Sequence, residues 1–538
     1  MKTVYHNGTV YTGEEAPARA FWVENGRFGR TGSDEEILAE MMPGDEKVDL
    51  KGLFVSPGFN DSHMHLLNFG QTLYGARLAE HTDSLAGMLA YLRDFLKHEP
   101  PRPGKWLTGR GWNQDYFADE KRMPLRQDLD GVSESVPIRI TRACGHSCVL
   151  NSAALKLAGI GRDTPDPEGG RIGRDESGEP DGRLYENAVE LAEAAQPLPD
   201  KEQIKQMLLL AMEEAARYGL TSVQSDDYST FRAVPWQRIN EAYRELEAEG
   251  RLTLRVTEQC NFAELAAFKA FVEAGNVTGK GSEFFRMGPL KLLGDGSLGS
   301  RTAHLSQPYL TGGGCGMSLF PPDELKRMIT FAHKNGMQIA VHAIGDACLD
   351  EVLDALEEAM TAHPRPDPRH GIVHCQVSRA DQLERIARLG LHVYAQSIFL
   401  DYDNHIVEKL VPPALAAHSY SWKTLLKKGV CVSNGSDCPV ELPNVLDGIE
   451  CAVTRRSLDG TGPFLPLEAF SVKEALDSFT VSGACASFEE KQKGRIREGR
   501  YADFVILSAD PFKTEARRLR EIRPLATFLG GKRIWQAE

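Results

Sequence analysis

No stretch of this 538-residue chain approaches the roughly 18 consecutive apolar residues that a membrane span requires. The start, Met1-Lys2-Thr3-Val4-Tyr5-His6, has no apolar core of a secretory leader. The reading is therefore a cytoplasmic protein with no membrane partner. Basic residues are also in deficit, with 62 Lys and Arg against 76 Asp and Glu and a net charge of −14. That balance excludes the clustered positive footprint that nucleic acid demands. Cysteine never occurs as C-x-x-C, and the ten present are scattered singly apart from Cys144 and Cys148. Such a pattern points to reduced, buried thiols rather than a disulfide framework. What remains, 41% hydrophobic and 26% charged, is ordinary for a soluble protein and far too long for one small core.

The most informative stretch is Phe54-Val55-Ser56-Pro57-Gly58-Phe59-Asn60-Asp61-Ser62-His63-Met64-His65. A β-favouring run meets a Pro-Gly break and then two histidines at i and i+2, which share one side of an extended chain. On spacing alone that pair fits two polar residues facing water as well as two metal ligands. Three further residues sit where apolar runs stop: His342, His374 and Asp437.

Residues 1–55 read as short strands separated by Asn7-Gly8 and Asn25-Gly26 turns, and residues 490–538 read similarly. Two half-sheets at opposite chain ends, each too small to stand alone, are expected to close one β-sandwich; two independent extensions are the alternative. Between about 100 and 190 regular alternation is lost and Pro and Gly accumulate, which suggests an inserted cap or lid. It carries Trp106, Trp112, Tyr116, Arg142 and His146.

Elsewhere within 56–489 strands and helices alternate. Strands are expected at 220–224, 252–257, 288–293, 338–342, 371–375, 391–396 and 430–433, with helices between them. Counting the strand that enters His63, eight parallel strands predict an α/β fold of the (β/α)8 TIM barrel type, with its site at the C-terminal mouth. A doubly wound open sheet would instead gather ligands at one switch point. In the barrel, His63 and His65 fall on the first strand, Lys291 on the fourth, His342 on the fifth, His374 on the sixth and Asp437 on the eighth.

With those positions goes a resemblance to the amidohydrolase superfamily, and within it to amidohydrolase family 3, the group that includes N-substituted formamide deformylases. The matching stretches are Pro57 to His65, Lys291-Leu292-Leu293-Gly294-Asp295-Gly296-Ser297-Leu298-Gly299-Ser300-Arg301, His342-Ala343-Ile344-Gly345-Asp346, His374-Cys375-Gln376, Gly435-Ser436-Asp437-Cys438-Pro439 and Gly494-Arg495-Ile496. The resemblance implies a divalent metal hydrolase, with zinc favoured and one or two ions. His63, His65 and Asp437 would hold one ion, His342 and His374 a second, and Lys291 would bridge them as a carbamate. An unmodified Lys291 over a single ion is the alternative. A metal-activated hydroxide would attack a small-molecule amide or N-substituted formamide, cleaving a non-peptide C–N bond, with Asp437 moving the proton. Arg301 and Asp295 after the fourth strand, and His146, Trp112 and Tyr116 in the insertion, are the candidates to touch substrate. A salt bridge, a capping turn or plain packing would explain each of these five as well. Deamination of a heterocycle, hydrolysis of an N-acyl amino acid, and a metal-binding regulatory protein are the competing functions. A homodimer is compatible with the sequence, and nothing in it sets the oligomeric state.

Overall fold

A computed structural model of the chain describes residues 1–14, 16–101, 104–143, 147–167, 169–231, 233–312 and 314–538. Eight parallel strands form one sheet: β1 (Phe59–Met64), β2 (Leu220–Ser225), β3 (Arg255–Asn261), β4 (Phe285–Leu293), β5 (Ile339–Ala343), β6 (Gly371–His374), β7 (His392–Ala395) and β8 (Val432–Asn434). They are hydrogen-bonded in chain order from β1 to β8. Just past β8 the ring is drawn together by two backbone bonds of 2.8 Å, from Asp437 N–H to His63 O and from His65 N–H to Cys438 O. The result is a nearly closed (β/α)8 barrel. Its strands are buried on both faces, as parallel strands under helices must be. The helix Pro322–Lys334 shows how the outer layer forms, since Leu325, Met328, Ile329 and Ala332 recur at helical spacing and are the residues it buries.

The third strand differs from expectation. The apolar run at 252–257 suggests a strand ending at Thr257, but β3 begins at Arg255 and continues through Glu258, Gln259 and Cys260 to Asn261. Buried polar residues disguise it, among them Arg255, Glu258 and Gln259. Arg255, 3% exposed, forms a bidentate pair with Asp503 at 2.7 and 3.1 Å, which ties the barrel to the C-terminal segment.

Pro57-Gly58 is where the chain changes sheets. Phe54–Pro57 pairs with Thr9–Val10 and with Phe504–Leu507, which continues to Pro524–Leu529 and Lys532–Gln536, while β1 joins the barrel. Gly58 is required there, because a Cβ would come within 2.2 Å of the Thr221 hydroxyl. A second sheet contains Arg27–Gly32, Ala20–Glu24, Thr3–His6 and Glu46–Asp49. One apolar cluster draws on both chain ends, with Tyr5 and Phe21 stacked at 4.9 Å and Phe504 and Phe528 at 4.3 Å.

Residues Phe69–Leu210 form a second compact unit. Where the sequence suggests little regular structure, the unit has a six-stranded sheet including Leu107–Trp112, Ile138–Arg142, Ser147–Leu150, Gly170–Arg174 and Pro180–Glu186. Mixed parallel and antiparallel pairing with bulges breaks the strands into short pieces that lack a long alternating pattern. The helix Leu85–His98, capped by Ser84, packs Leu85, Met88 and Leu92 against it. Among the described residues, no helix of the protein is long and apolar enough to cross a membrane.

Candidate metal and active site

Strand ends bring four imidazoles and a carboxylate together at the C-terminal mouth. The donor atoms of His63, His374 and Asp437 lie within 4.8 Å of one another, and all three residues are buried. The His65 Nε2 is 3.1 Å from Asp437 Oδ1, and the His63 Nε2 is 3.3 Å from the same oxygen. The His342 ring meets the His374 ring edge-on at 4.4 Å. His374 and Asp437 have φ of 73° and 58°, a left-handed conformation that costs a branched or polar residue about 1–3 kcal/mol. The surroundings enforce it: Trp422 Nε1 donates to His374 O at 3.0 Å, and the seam bond to His63 O anchors Asp437.

Each ring has one nitrogen committed to an oxygen outside the cluster of candidate ligands. His63 Nδ1 is 2.6 Å from Gln259 Oε1, and Gln259 is itself oriented by donating Nε2 to Ser62 O. His374 Nδ1 is 2.7 Å from Gln396 Oε1, whose amide is fixed in turn by Tyr394 O. His65 Nδ1 faces the Asp226 carbonyl at 2.9 Å. An amide or carbonyl oxygen only accepts, so all three rings carry a proton on Nδ1; His63 and His374 turn an Nε2 lone pair towards the site, and His65 meets Asp437 Oδ1 through Nε2 at 3.1 Å. His342 is reversed: its Nε2 donates to Gly296 O at 3.0 Å, which leaves Nδ1 as the free donor atom.

Electrostatics agree with that arrangement. Burial opposes charge on Asp437, but hydrogen bonds from His63 and His65 outweigh it and hold the carboxyl well below the usual range. Burial and the neighbouring Lys291 push His63 down, and burial with His342 pushes His374 well down, so both rings stay neutral. His65 is raised to about 9: burial works against its charge, and the Asp437 and Asp226 carboxylates overcome it. A cation seated on these atoms would expel that proton.

Lys291 is fully buried, and its Nζ makes no hydrogen bond. Asp226 Oδ2, at 3.9 Å, is an electrostatic neighbour but too distant for a hydrogen bond. Burial pushes the Lys291 amine down against the pull of Asp226 and Asp437. Imidazole nitrogens and a carboxylate are the donors zinc accepts, so the residues present fit a divalent cation, and the orphaned amine fits a lysine awaiting a further group.

The remaining candidates separate. Asp295 is 1% exposed and accepts backbone N–H groups of Ile344, Gly345 and His304 at 2.8–3.0 Å, with its Oδ1 3.4 Å from His342 Nε2. It braces the loop and His342, with no oxygen free for substrate. Arg301 is exposed, in a left-handed conformation, with no carboxylate partner among the described residues. Trp112, expected as a lid aromatic towards substrate, is wholly buried in the apolar cluster of the Phe69–Leu210 unit, where its bulk fills the space between sheet and helix. Tyr116 is 69% exposed, and Arg142 is engaged by Asn113, Gln114 and Asp115. His146 lies outside the described residues.

Sequence reasoning missed Asp226, Gln259, Gln396 and Asp61. Asp61 accepts from Ser436 Oγ at 2.5 Å and from the Ser436 and His63 N–H groups, and burial raises it to about 7 despite those bonds. Asp226 and Gln396 each follow a buried strand directly, whereas Asp61 and Gln259 sit within strands and give no such signal.

The amidohydrolase family model matches residues 46–535. Amidohydrolase YtcJ of Bacillus subtilis is 33% identical over 548 residues, covering 100% of both chains. An N-substituted formamide deformylase of Arthrobacter pascens is 28% identical, covering 96% of this chain and 94% of its own length. Among solved structures, an uncharacterized metal-dependent hydrolase of Pyrococcus furiosus superposes with a TM-score of 0.78 at 29% identity, over 95% of this chain and 100% of that one.

Proposed function

This chain belongs to the amidohydrolase family, and from that premise we propose that it hydrolyses a neutral, largely apolar N-substituted amide or formamide. At the coarser level it is a metal-dependent hydrolase acting on C–N bonds. The observation that carries the proposal is the convergence of the His63, His374 and Asp437 donor atoms beside the orphaned Lys291 amine. His63, His65 and Asp437 would hold one ion, His342 through Nδ1 and His374 through Nε2 a second, and Lys291 as a carbamate would bridge them. A bound divalent metal, zinc by its donor set, supplies Lewis acidity at the carbonyl and a water acidified towards neutrality.

The chain's own residues do the rest. Asp437 Oδ1 is shared by two imidazoles, which leaves Oδ2 to take the proton from the attacking water and return it to the leaving nitrogen, so that the amine departs neutral. Gln259 and Gln396 keep the rings in the tautomer that offers Nε2. Leu293, paired in register with His342 and 39% exposed, and Phe399, stacked on the His374 ring at 5.8 Å, favour an apolar group beside the scissile bond. The deformylase relative supports the same substrate class.

Arg301 favours a second reading, an N-acyl amino acid whose carboxylate would pair with the free guanidinium. The test compares kcat/KM for N-benzylformamide and for an N-acetyl amino acid in wild type, Asp437→Asn and Arg301→Ala. Preference for the formamide, retained in Arg301→Ala and abolished in Asp437→Asn, is the expected result. Preference for the amino acid that vanishes in Arg301→Ala would overturn it.

A further inference from the structure

At the opposite end of the barrel from the site, the short helix Val481–Ala486 is held beneath the strands. Gln224 of β2 donates to Gly483 O at 2.9 Å, and Gln338, just before β5, donates to Ala486 O at 2.9 Å and to Arg369 O at 2.7 Å. Gly483 lies so close to Asn60 that a Cβ would come within 2.5 Å of its side-chain oxygen. This close fit places Cys485 of the helix against Cys431, the residue that immediately precedes β8.

The helix packs against β8, and Ser482 precedes Cys485 by one turn. Cys431 Sγ is 4.0 Å from Ser482 O. Arg369 reaches the second thiol, with Nη1 3.7 Å from Cys485 Sγ and 2.8 Å from Cys485 O, while Glu490 and Asp367 share its charge. Both thiols are partly exposed, whereas Cys148, Cys260, Cys348, Cys375, Cys438 and Cys451 are buried. The neighbouring Cys431 thiol and the guanidinium together hold the Cys485 thiol below its ordinary value, although burial opposes them. A partly exposed thiol beside a cation, with a second thiol within reach, is the arrangement of a reactive cysteine and its resolving partner.

We propose that Cys431 and Cys485 are a peroxide-oxidisable dithiol that closes to a disulfide between the helix Val481–Ala486 and β8. The Cys485 sulfur attacks one oxygen of a hydroperoxide and breaks the O–O bond, giving a sulfenic acid and, for hydrogen peroxide, one water. The Cys431 sulfur then attacks that sulfur; the S–S bond forms, the S–O bond breaks, and hydroxide leaves with the Cys431 proton as a second water. Two thiols are oxidised by two electrons and one peroxide is reduced.

The full chain, reduced and then exposed to hydrogen peroxide, is alkylated and its peptides mapped without reductant. A cross-linked pair containing Cys431 and Cys485 is expected, with both thiols lost together. In Cys431→Ser the reaction should stop at a Cys485 sulfenic acid that a 1,3-dione traps, and in Cys485→Ser residue Cys431 should stay reduced. Arg369→Ala should slow the loss of Cys485 several-fold. Both serine variants, when reduced, should hydrolyse amides as the wild type does. Wild-type protein in which the two thiols oxidise independently, or in which partly exposed Cys315 reacts while Cys485 stays reduced, would overturn the proposal whether or not a variant folds.

Discussion

Histidines occupy both ends of this barrel, and the same side chain does opposite work at each. At the C-terminal mouth, His63, His65 and His374 each commit Nδ1 to an oxygen acceptor and turn Nε2 into the site, where that of His65 meets Asp437 Oδ1. At the N-terminal end, His370 and His333 commit both. Ile339 N–H donates to His370 Nδ1 at 3.1 Å, His370 Nε2 to His333 Nδ1 at 2.8 Å, and His333 Nε2 to His363 O at 2.6 Å. That chain has one consistent direction, and a further proton anywhere in it would place two donors face to face. His392 bonds Ser433 Oγ through Nε2 at 2.7 Å. His333 and His370 are structural elements because their partners satisfy the whole ring, whereas His63 and His374 keep a nitrogen for a ligand.

The most severe break in this comparison comes from the mouth. Asp437→Asn, or His63→Ala with His65→Ala, should lower kcat/KM by about 10⁴-fold, as expected when ligand and proton carrier are lost together. Bound metal should fall while the melting temperature of the metal-free protein stays near the wild-type value. Full metal content with full activity in the double alanine variant would remove these residues from the site.

Next in size is Lys291→Ala, with an expected loss of about 10²–10³-fold and partial recovery on adding short carboxylates, which replace a bridging anion. Elemental analysis should show fewer ions per chain. A fully active variant with a single ion would establish a mononuclear enzyme. Gln259→Leu tests the tautomer argument more gently: metal affinity should fall by about 10–100-fold because His63 is no longer held with Nε2 free. Unchanged affinity would mean that the strand alone orients the ring.

At the other end the readout is stability. His370→Ala should leave metal content intact and cost about 2–3 kcal/mol, since it opens a cavity and strands the Ile339 N–H and His333 Nδ1. Thermal unfolding with and without bound metal would check this, and loss of metal without loss of stability would erase the distinction between the two ends.

The smallest effect is in pH. Burial pushes His370 and His392 down to about 3, whereas the unfolded rings titrate near 6.5. Between those values the unfolded chain takes up protons that the folded chain refuses. The stability these neutral rings contribute is therefore complete above 6.5 and is lost as pH falls towards 3. In His392→Gln the fall should be shallower by about one proton, measured as melting temperature against pH, and an unchanged slope would show that His392 does not titrate in that window.

Much of this was legible in the chain. Short apolar runs alternating with helical spacing pointed to eight strands, and the strand ends alone put His63, His65, Lys291, His342, His374 and Asp437 in barrel order. Local chemistry also marked the sheet change at Pro57-Gly58. These features depend on neighbours a few residues away, so the sequence by itself determined them. What only the tertiary structure decided is which polar atoms are left over. Gln259 directs His63 across 196 positions of sequence and Asp61 holds Ser436 across 375, so no local pattern reveals either. The same holds for Trp112, whose aromatic character suits a pocket or a core until packing chooses the core. A free Nε2, an orphaned amine and a thiol beside a guanidinium are each set by partners distant in sequence, because burial makes a side chain's chemistry depend on what surrounds it rather than on what precedes it.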